Sequence, residues 1–253
     1  VPHNPLESAI SADEVQNVRA FGSENQMEVV AQVVNNHLTR LRDAHEATLE
    51  YHRAGAIQGK VLDADGATEL YDLFTTFGVS EQSVNFDLSN DDADIRIKCV
   101  EAARKVEDAL GAATYTSLHG FCGSDFFDAL ISHPDVKEAY SRWQNGEALR
   151  NDVRRGFQLG GIMFEEYRHK VSGVDYLPAT ECRIIPLGVP ELFMTFYAPA
   201  DFVETVNTIG QPIYAKQELQ RFGKGIDIHT QSNPLNVCTR PAALVKATMT
   251  AGS

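Results

Sequence analysis

The sequence lacks the marks of a membrane-spanning, disulfide-stabilised or phosphate-binding protein. Its 253 residues contain no apolar run near the ~18 residues that a membrane span needs, and no basic-then-apolar leader. Basic residues are few: 22 Lys and Arg stand against 35 Asp and Glu, and the formal charge of −13 argues against a surface that grips phosphates. Cysteines are scarce and form no CxxC pair. We expect these to be reduced and buried in a soluble protein that folds in the cytosol: Cys99, Cys122, Cys182 and Cys238.

What the sequence does contain is enough apolar residues, 43%, for one large domain or two small ones. Residues 1–25 are predicted to form an extended arm or loop. Residues 26–54 include no Pro or Gly, and apolar residues and histidines recur there at three- and four-residue steps. This spacing predicts one helix of about 43 Å that ends at Gly55. Its apolar stripe is narrow, so we expect it to lie along a sheet or a neighbouring subunit.

The rest of the chain mixes predicted strands with shorter helices. Residues 56–62 and 68–74 read as a hairpin, and residues 95–110 as a helix that Gly111 closes. The remaining elements are predicted as follows: strand 114–118, helix 124–130, helical turns over 134–143, strands within 156–167 and 181–197, and terminal strands near 226–229 and 244–246. No internal repeat is present. This order predicts an α+β fold.

The sharpest enzymatic candidate is the predicted strand-to-helix turn that carries His119, Cys122 and Ser124. A nucleophile at such a turn would gain backbone N–H donors for an oxyanion. That pattern requires Gly two residues after the nucleophile, whereas Gly123 follows Cys122 directly and Asp125 follows Ser124. We therefore expect a loop with a buried cysteine, and a hydrolase that uses Cys122 and His119 remains the weaker reading.

Three segments resemble metal sites incompletely. Residues 63–66, Asp-Ala-Asp-Gly, place Gly at the fourth position where a calcium loop needs it at the sixth, so we expect only a turn. The pair at 45–46, His-Glu, lacks the second histidine of a zinc protease, because position 49 is leucine. His37, His45 and His52 could share one helix face, and we expect partly buried helix histidines there.

Other polar or glycine-rich clusters carry no second feature that supports a site. The glycines at 156–161 are not spaced as a dinucleotide fingerprint and indicate a loosened strand. The carboxylates read as acidic turns, and the arginines suit a subunit contact as readily as nucleic acid: Asp91, Asp92, Asp94, Glu165 and Glu166; Arg150, Arg154 and Arg155. We assign no catalytic, cofactor-binding or metal residue. The one-sided helix and the arm leave apolar surface that favours assembly.

Several stretches together resemble the lambda-type major capsid protein E family of tailed phages. The likeness covers nearly the whole chain and rests on blocks in the right order: residues 49–66, residues 161–168, residues 186–193 running on through 197–201, 206–210 and 214–216, and residues 231–235 with Arg240 and Pro241. It implies the Hong Kong 97 type capsid fold. It also implies four segments: 1–25, the distal part of an extended loop; 26–93, a peripheral domain with a spine helix and hairpin; 94–200, an axial domain; and 201–253, the closing strands of the peripheral domain.

The resemblance implies a structural protein and not an enzyme. The chain would form pentamers and hexamers of an icosahedral head that encloses double-stranded DNA without sequence-specific binding, with scaffold, portal and decoration proteins as further partners. The family's N-terminal arm has no counterpart before Val1, so we expect an arm ahead of this residue or its removal by cleavage. The shell of a protein nanocompartment would share the fold and stays an alternative.

Overall fold

The computed structural model describes residues 1–16, 26–142, 156–171 and 173–250. Its helices are α1 Ala12–Gln16, α2 Gln26–Ile57, α3 Leu73–Phe77, α4 Ile95–Leu110, α5 Ser124–Ser132 and α6 Pro134–Arg142. Its strands are β1 Asn4–Ser11, β2 Lys60–Leu62, β3 Glu69–Asp72, β4 Gln82–Asn85, β5 Ser117–Cys122, β6 Phe157–Leu159, β7 Ile162–Glu166, β8 Lys170–Val171, β9 Val174–Asp175, β10 Glu181–Leu187, β11 Phe193–Tyr197, β12 Tyr214–Leu219, β13 Gly225–Ser232, β14 Pro234–Cys238 and β15 Val245–Thr248.

The chain divides into two compact units, each built from separate stretches. Unit 1 comprises Val1–His52, Leu62–Thr68 and Thr195–Asn236. Unit 2 comprises Arg53–Val61, Glu69–Met194 and Val237–Ser253. Boundaries between the units fall inside α2 and inside the paired strands β11 and β14.

Unit 1 is a small antiparallel sheet on one long helix. The strand order is β1-β13-β12, with β1 paired to β13 from Asn4 opposite Ser232 to Ser11 opposite Gly225. Ile10, Val33 and Ile228 form its buried core, and these residues pack against it: Val34, Leu38, Leu41 and Ile226. The apolar stripe of α2 therefore lies along a sheet, as predicted.

Unit 2 contains a six-stranded mixed sheet in the order β4-β15-β10-β5-β7-β6. The β4–β15 and β5–β7 pairs are parallel, and the described pairs among the other neighbours are antiparallel. Phe86, Phe126 and Phe164 are fully buried; Phe86 meets the other two rings edge to face, with centroids 5.6 and 6.2 Å away. Such aromatic packing in a closed core is a strong source of stability.

The helix predicted to end at Gly55 instead continues to Ile57, so that prediction was wrong. The chain turns at Gly59, whose φ is +75°, a left-handed value that favours glycine. A Cβ at Gly59 would lie 2.3 Å from Cε2 of Phe74, so glycine is also needed for close packing. The hairpin that follows is confirmed, but its strands are shorter than predicted because helix residues precede β2 and α3 follows β3.

Most other predicted elements are present with shifted ends. Helices α4, α5 and α6 confirm the predictions at 95–110, 124–130 and 134–143, although position 143 lies outside the described residues. The strand predicted at 114–118 begins only at Ser117. The extended character predicted for residues 1–25 is confirmed over β1, but residues 12–16 form helix α1, and residues 17–25 lie outside the described residues. The strands predicted within 156–167 are present as β6 and β7, and those within 181–197 as β10 and β11.

Candidate assembly surface

The enzymatic candidate at His119 and Cys122 is not brought together by the fold. These residues lie three apart on β5, where side chains alternate between faces. Nε2 of His119 donates to Oε2 of Glu165 at 3.0 Å, whereas Cys122 lies on the fully buried face. Burial raises the pKa of the Cys122 thiol well above its usual value, which disfavours the thiolate that a nucleophile requires.

The three helix histidines occupy separate environments in unit 1. His37 accepts from Oγ of Ser8 at 2.7 Å and donates to Glu14 at 3.1 Å. His45 lies between Nδ2 of Asn4 at 3.2 Å and Oγ1 of Thr230 at 2.9 Å. Burial lowers the pKa of both His45 and His52. The part of the chain that the structure describes holds no group of three or more His, Cys, Asp or Glu side chains that could bind a metal.

Residues 63–66 form the turn that the sequence predicted. The carboxylate of Asp65 accepts from the backbone N–H of Ala67 at 2.9 Å and of Thr68 at 2.8 Å, and from the Thr68 hydroxyl at 2.5 Å. These hydrogen bonds, led by that of the Thr68 hydroxyl, lower the pKa of Asp65 to about 2. Asp65 therefore organises the β2–β3 turn.

The remaining carboxylates and glycines have structural roles. Asp94 caps helix α4 by accepting from the backbone N–H of Ile97 at 2.9 Å. Glu165 contacts His119, and Glu166 contacts Arg168 at 3.6 Å, so the two carboxylates do not form an acid/base pair. Gly160 and Gly161, at the β6–β7 turn, both have positive φ. The arginines at 150, 154 and 155 lie outside the described residues.

The surface that the sequence analysis missed is the loop at residues 198–213, in unit 1. Its ends are tied to the sheet: the N–H of Ala198 donates to Asn233 O at 3.0 Å, and Oγ of Ser232 donates to Pro212 O at 2.7 Å. Inside the loop, the hydroxyl of Thr205 donates to Ala200 O at 2.5 Å. These bonds hold the loop backbone in one shape.

Glycine and tyrosine complete this framework. A Cβ at Gly210 would lie 2.0 Å from Tyr197 O, so the loop crosses β11 more closely than any other residue would permit. The hydroxyl of Tyr214 accepts from the N–H of Gln211 at 2.9 Å and donates to Ile209 O at 3.4 Å. Nζ of Lys216 lies 4.1 Å from the ring centre of Phe202 and also contacts Glu204.

The framework presents three branched aliphatic side chains to solvent. Val203 is 91% exposed, Ile209 86% and Val206 64%. A loop that is free of functional constraint would place its apolar side chains against the sheet beneath it, because their burial is favourable. The spacing of these residues at 203, 206 and 209, between Pro199 and Pro212, was the available sequence signal.

The exposed side chains of Val203, Val206 and Ile209 form a first apolar tip, in the loop that leads into β12, and a second apolar tip lies at the other end of this strand. Leu219 ends that strand and is 73% exposed, and Phe222 in the following turn is 93% exposed. Phe222 also has a φ of +67°, a left-handed backbone conformation that is costly for a bulky residue. Between the two tips, β12 is an edge strand whose outer N–H and C=O groups face away from β13.

A groove of about 970 Å³ opens between α2 and the sheet beside this second tip. Apolar side chains form most of its wall, among them Ile10, Val34, Leu38, Leu219 and Ile226. Gly223, the neighbour of Phe222, lies on its rim. Protruding apolar side chains and an apolar recess thus lie on the same surface of unit 1, as expected for an association surface.

Comparison with known proteins agrees with this reading. The chain is similar to the solved structure of the putative capsid protein of a prophage of E. coli CFT073, with a TM-score of 0.58 and 13% identity; the match covers 98% of this chain and 77% of that one. It is also similar to the capsid structure of cyanophage P-SCSP1u, with a TM-score of 0.56 and 10% identity; this match covers 100% of this chain and 73% of that one. The protein therefore has the α+β, Hong Kong 97 type capsid fold that the resemblance predicted.

Sequence relatives narrow the class to one family. The profile of phage major capsid protein E matches residues 1–249. The major capsid protein of Pseudomonas phage KPP10 is 32% identical over 267 residues, and the match covers 97% of this chain and 76% of that protein. The major capsid protein of Salmonella phage Felix O1 is 29% identical over 271 residues, and the match covers 94% of this chain and 73% of that protein. The chain belongs to the phage major capsid protein E family.

The chain is thus a structural protein of a tailed-phage or prophage head, a component of the virion that assembles into a multimeric shell. Neither the nanocompartment nor the hydrolase alternative gains support from these relatives. No helix among the described residues is both long and apolar enough to cross a membrane.

Proposed function

We propose that the protein builds an icosahedral shell of pentamers and hexamers, and that the two apolar tips of unit 1 contact further copies of the same chain. The observation that carries this proposal is the loop at 198–213, whose backbone is hydrogen-bonded within the subunit while Val203 and Ile209 face solvent. A shell subunit is surrounded by its own copies, so a second copy is the partner that these side chains meet.

The chemistry of the loop suits such a contact. The loop has two charged residues: Glu204 contacts Lys216, which also covers the ring of Phe202, and the exposed carboxylate of Asp201 lies 3.6 Å from Nε2 of His3. Few unpaired charges would therefore be buried when Val203 and Ile209 are covered, and the cost of desolvation stays low. Because the loop is already ordered, little conformational entropy is lost when it binds.

The segments of the chain would have different roles in the shell. Following the family resemblance, we assign residues 1–25 to the distal part of an extended loop, 26–93 and 201–253 to a peripheral domain, and 94–200 to an axial domain around five-fold and six-fold positions. Strands β4 and β15, from the two outer segments, then complete the sheet that contains β5, β7 and β10. Gly188, whose φ is +80°, would act as a joint between non-equivalent sites together with Val189 and Pro190.

The shell would enclose double-stranded DNA without binding its sequence. The formal charge of −13 supports this, because a strongly basic lining would hold the genome by its phosphates and hinder packaging and release. A net positive inner surface of the assembled shell would contradict it. Scaffold, portal and decoration proteins would be the further partners of the head.

The assembly proposal predicts that Val203→Ser with Ile209→Ser prevents shell formation without unfolding the subunit. Loss of two apolar contacts at every copy of an interface should reduce the yield of closed particles at least about ten-fold, since each 1.4 kcal/mol changes an equilibrium ten-fold. Particles are counted by negative-stain microscopy and sedimentation, and nucleic acid is measured in the same sample.

Ile97→Ser is the matched control, because Ile97 is also exposed, at 61%, but belongs to unit 2. Its particle yield should stay close to that of the wild type. The thermal midpoint of both variants should remain within about 2 °C of the wild type. Normal particle yield in the double variant, or equal loss in the control, would contradict the assignment of the contact to this loop.

A further inference from the structure

Two cysteines lie side by side in the centre of the sheet of unit 2. Cys122 on β5 is directly opposite Cys182 on β10 in the antiparallel register. Their sulfur atoms are 3.1 Å apart, both residues are completely buried, and both are free thiols. Their pairing in register places two reactive groups in contact across one strand pair.

The backbone around these cysteines fits a covalent link between the strands. The N–H of Gly123 donates to Glu181 O at 2.8 Å. The hydrogen-bonded pair is therefore Gly123 with Glu181, the neighbour of the pair that Cys122 forms with Cys182. The carbonyl of Cys122 accepts from Tyr167, on the opposite side of β5. Cys122 and Cys182 thus occupy a non-hydrogen-bonded position, where Cα atoms are about 4.5 Å apart, inside the range that a disulfide spans.

The surroundings leave room for the sulfurs and offer them little else to bind. A Cβ at Gly120 would lie 3.0 Å from Sγ of Cys182, so glycine at this position keeps the space open. The Cys122 sulfur lies 3.1 Å from that of Cys182 and 3.7 Å from the carbonyl oxygen of Gly120, and it also interacts with the backbone of Glu165. Cys99 belongs to the same buried region and is the possible competitor for Cys182.

We propose that Cys122 and Cys182 are a latent cross-strand disulfide, reduced in the host cell and closed by a small two-electron oxidant once the virion has left it. With dissolved dioxygen as oxidant, both S–H bonds break, one S–S bond forms, and the two protons and two electrons released reduce dioxygen to hydrogen peroxide. The bond would join β5 to β10 and constrain the stretch from 122 to 182, which contains the end of the sheet built by β6 and β7.

Closure of this pair should be slow near neutral pH. The thiolate is the reacting form, and burial, reinforced by the neighbouring Cys182 thiol, raises the pKa of Cys122 well above its usual value. The rate should therefore rise with pH, by up to about ten-fold per unit while the thiolate remains the minor form. Slow closure is compatible with assembly in a reducing cytosol and oxidation afterwards.

The test uses the assembled protein, treated with the small azo oxidant diamide at neutral and at alkaline pH. After unfolding in the presence of N-ethylmaleimide, peptide mass spectrometry should find Cys122 linked to Cys182, with Cys99 and Cys238 alkylated. The thermal midpoint should rise by about 5–10 °C, as expected for a bond that closes a loop of this length, and dithiothreitol should reverse the rise.

Variants separate the effect of this bond from general oxidation. Cys182→Ala should abolish both the link and the rise in the midpoint, whereas Cys238→Ala should keep both. Should Cys182→Ala fail to fold, the peptide map of the oxidised wild-type protein still shows whether Cys122 is linked to Cys182. Absence of the link after prolonged oxidation of the folded protein, its formation only in denaturant, or a link between Cys99 and Cys182 would each overturn the proposal.

Discussion

The two units bury their apolar residues to very different degrees. Unit 2 closes a six-stranded sheet over aromatic side chains such as Phe86 and Phe164, which are fully buried. The hydrophobic cluster that the structure describes in unit 1 has three buried members, Ile10, Val33 and Ile228. Unit 1 also carries the four most exposed large apolar side chains among the described residues: Val203, Ile209, Leu219 and Phe222. Unit 2 thus encloses its large apolar side chains, whereas unit 1 leaves several of them exposed to solvent, as the assembly proposal requires.

The sharpest test of this contrast makes one substitution in each unit. Phe86→Ala should cost about 3–5 kcal/mol of unfolding free energy, because it empties a closed site between Phe126 and Phe164. Phe222→Ala should change the free energy of unfolding by less than about 0.5 kcal/mol, since the Phe222 ring is 93% exposed. Urea unfolding of the dissociated subunit measures both values, and a similar cost for the two would break the comparison.

Acid should weaken unit 1 through its buried histidines. Burial lowers the pKa of His45 and His52 in the folded state, while the unfolded state keeps a value near 6.5. The unfolded chain then binds more protons as the pH falls below about 6.5, so folded-state stability is present above that pH and declines below it. Each histidine contributes a loss of up to about 1.4 kcal/mol per pH unit.

Hydrogen exchange followed by mass spectrometry checks this expectation. Peptides of α2 between residues 30 and 52 should lose protection between about pH 6.5 and 5, earlier than those of the β5–β10 pair. In His52→Leu the loss should be smaller, because the pKa of His52 is held down mainly by burial, only partly offset by Asp63, and leucine has no proton to bind. Equal acid sensitivity of both sets of peptides would argue against this role.

A smaller effect is expected at the start of α4 in unit 2. Asp94→Ala removes the side-chain acceptor for the N–H of Ile97 and should cost about 1 kcal/mol. Asp91→Ala, in the exposed turn just before, should cost less than about 0.5 kcal/mol. Thermal unfolding of the two variants gives the difference, and equal midpoints would mean that unit 2 does not depend on this cap.

Elements with strong periodicity were predictable, and those set by tertiary contacts were not. The long helix and α4 follow from their apolar spacing. The end of α2 was misjudged because a helix tolerates glycine at 55, and the turn is instead fixed by contact between Gly59 and Phe74. Helix α3 begins at Leu73 and Phe74, which were predicted as the end of a strand, and it depends on Asp72 as a cap. Strand β4 lies in a polar stretch that has no periodic signal, and its place depends on pairing with β15.

The candidate surface was only half predictable. An exposed apolar surface that favours assembly follows from the one-sided helix, and the family follows from blocks spread over the chain. The loop at 198–213 could not be found this way, because the exposure of Val203 and Ile209 depends on hydrogen bonds from Thr205 and Tyr214 that only the fold brings together. Sequence spacing identifies apolar residues but does not tell which of them the loop turns outward.

The pairing of β1 with β13 has a consequence for how the protein is made. Asn4 lies opposite Ser232, a separation of 228 residues, so the sheet of unit 1 cannot close until nearly the whole described chain has left the ribosome. At roughly 5–20 residues per second this delay is about 10–45 s. During synthesis the apolar stripe of α2 therefore stays uncovered until β13 has been made. A truncated chain would lack a complete unit 1, and only completed subunits would be competent to join a growing shell.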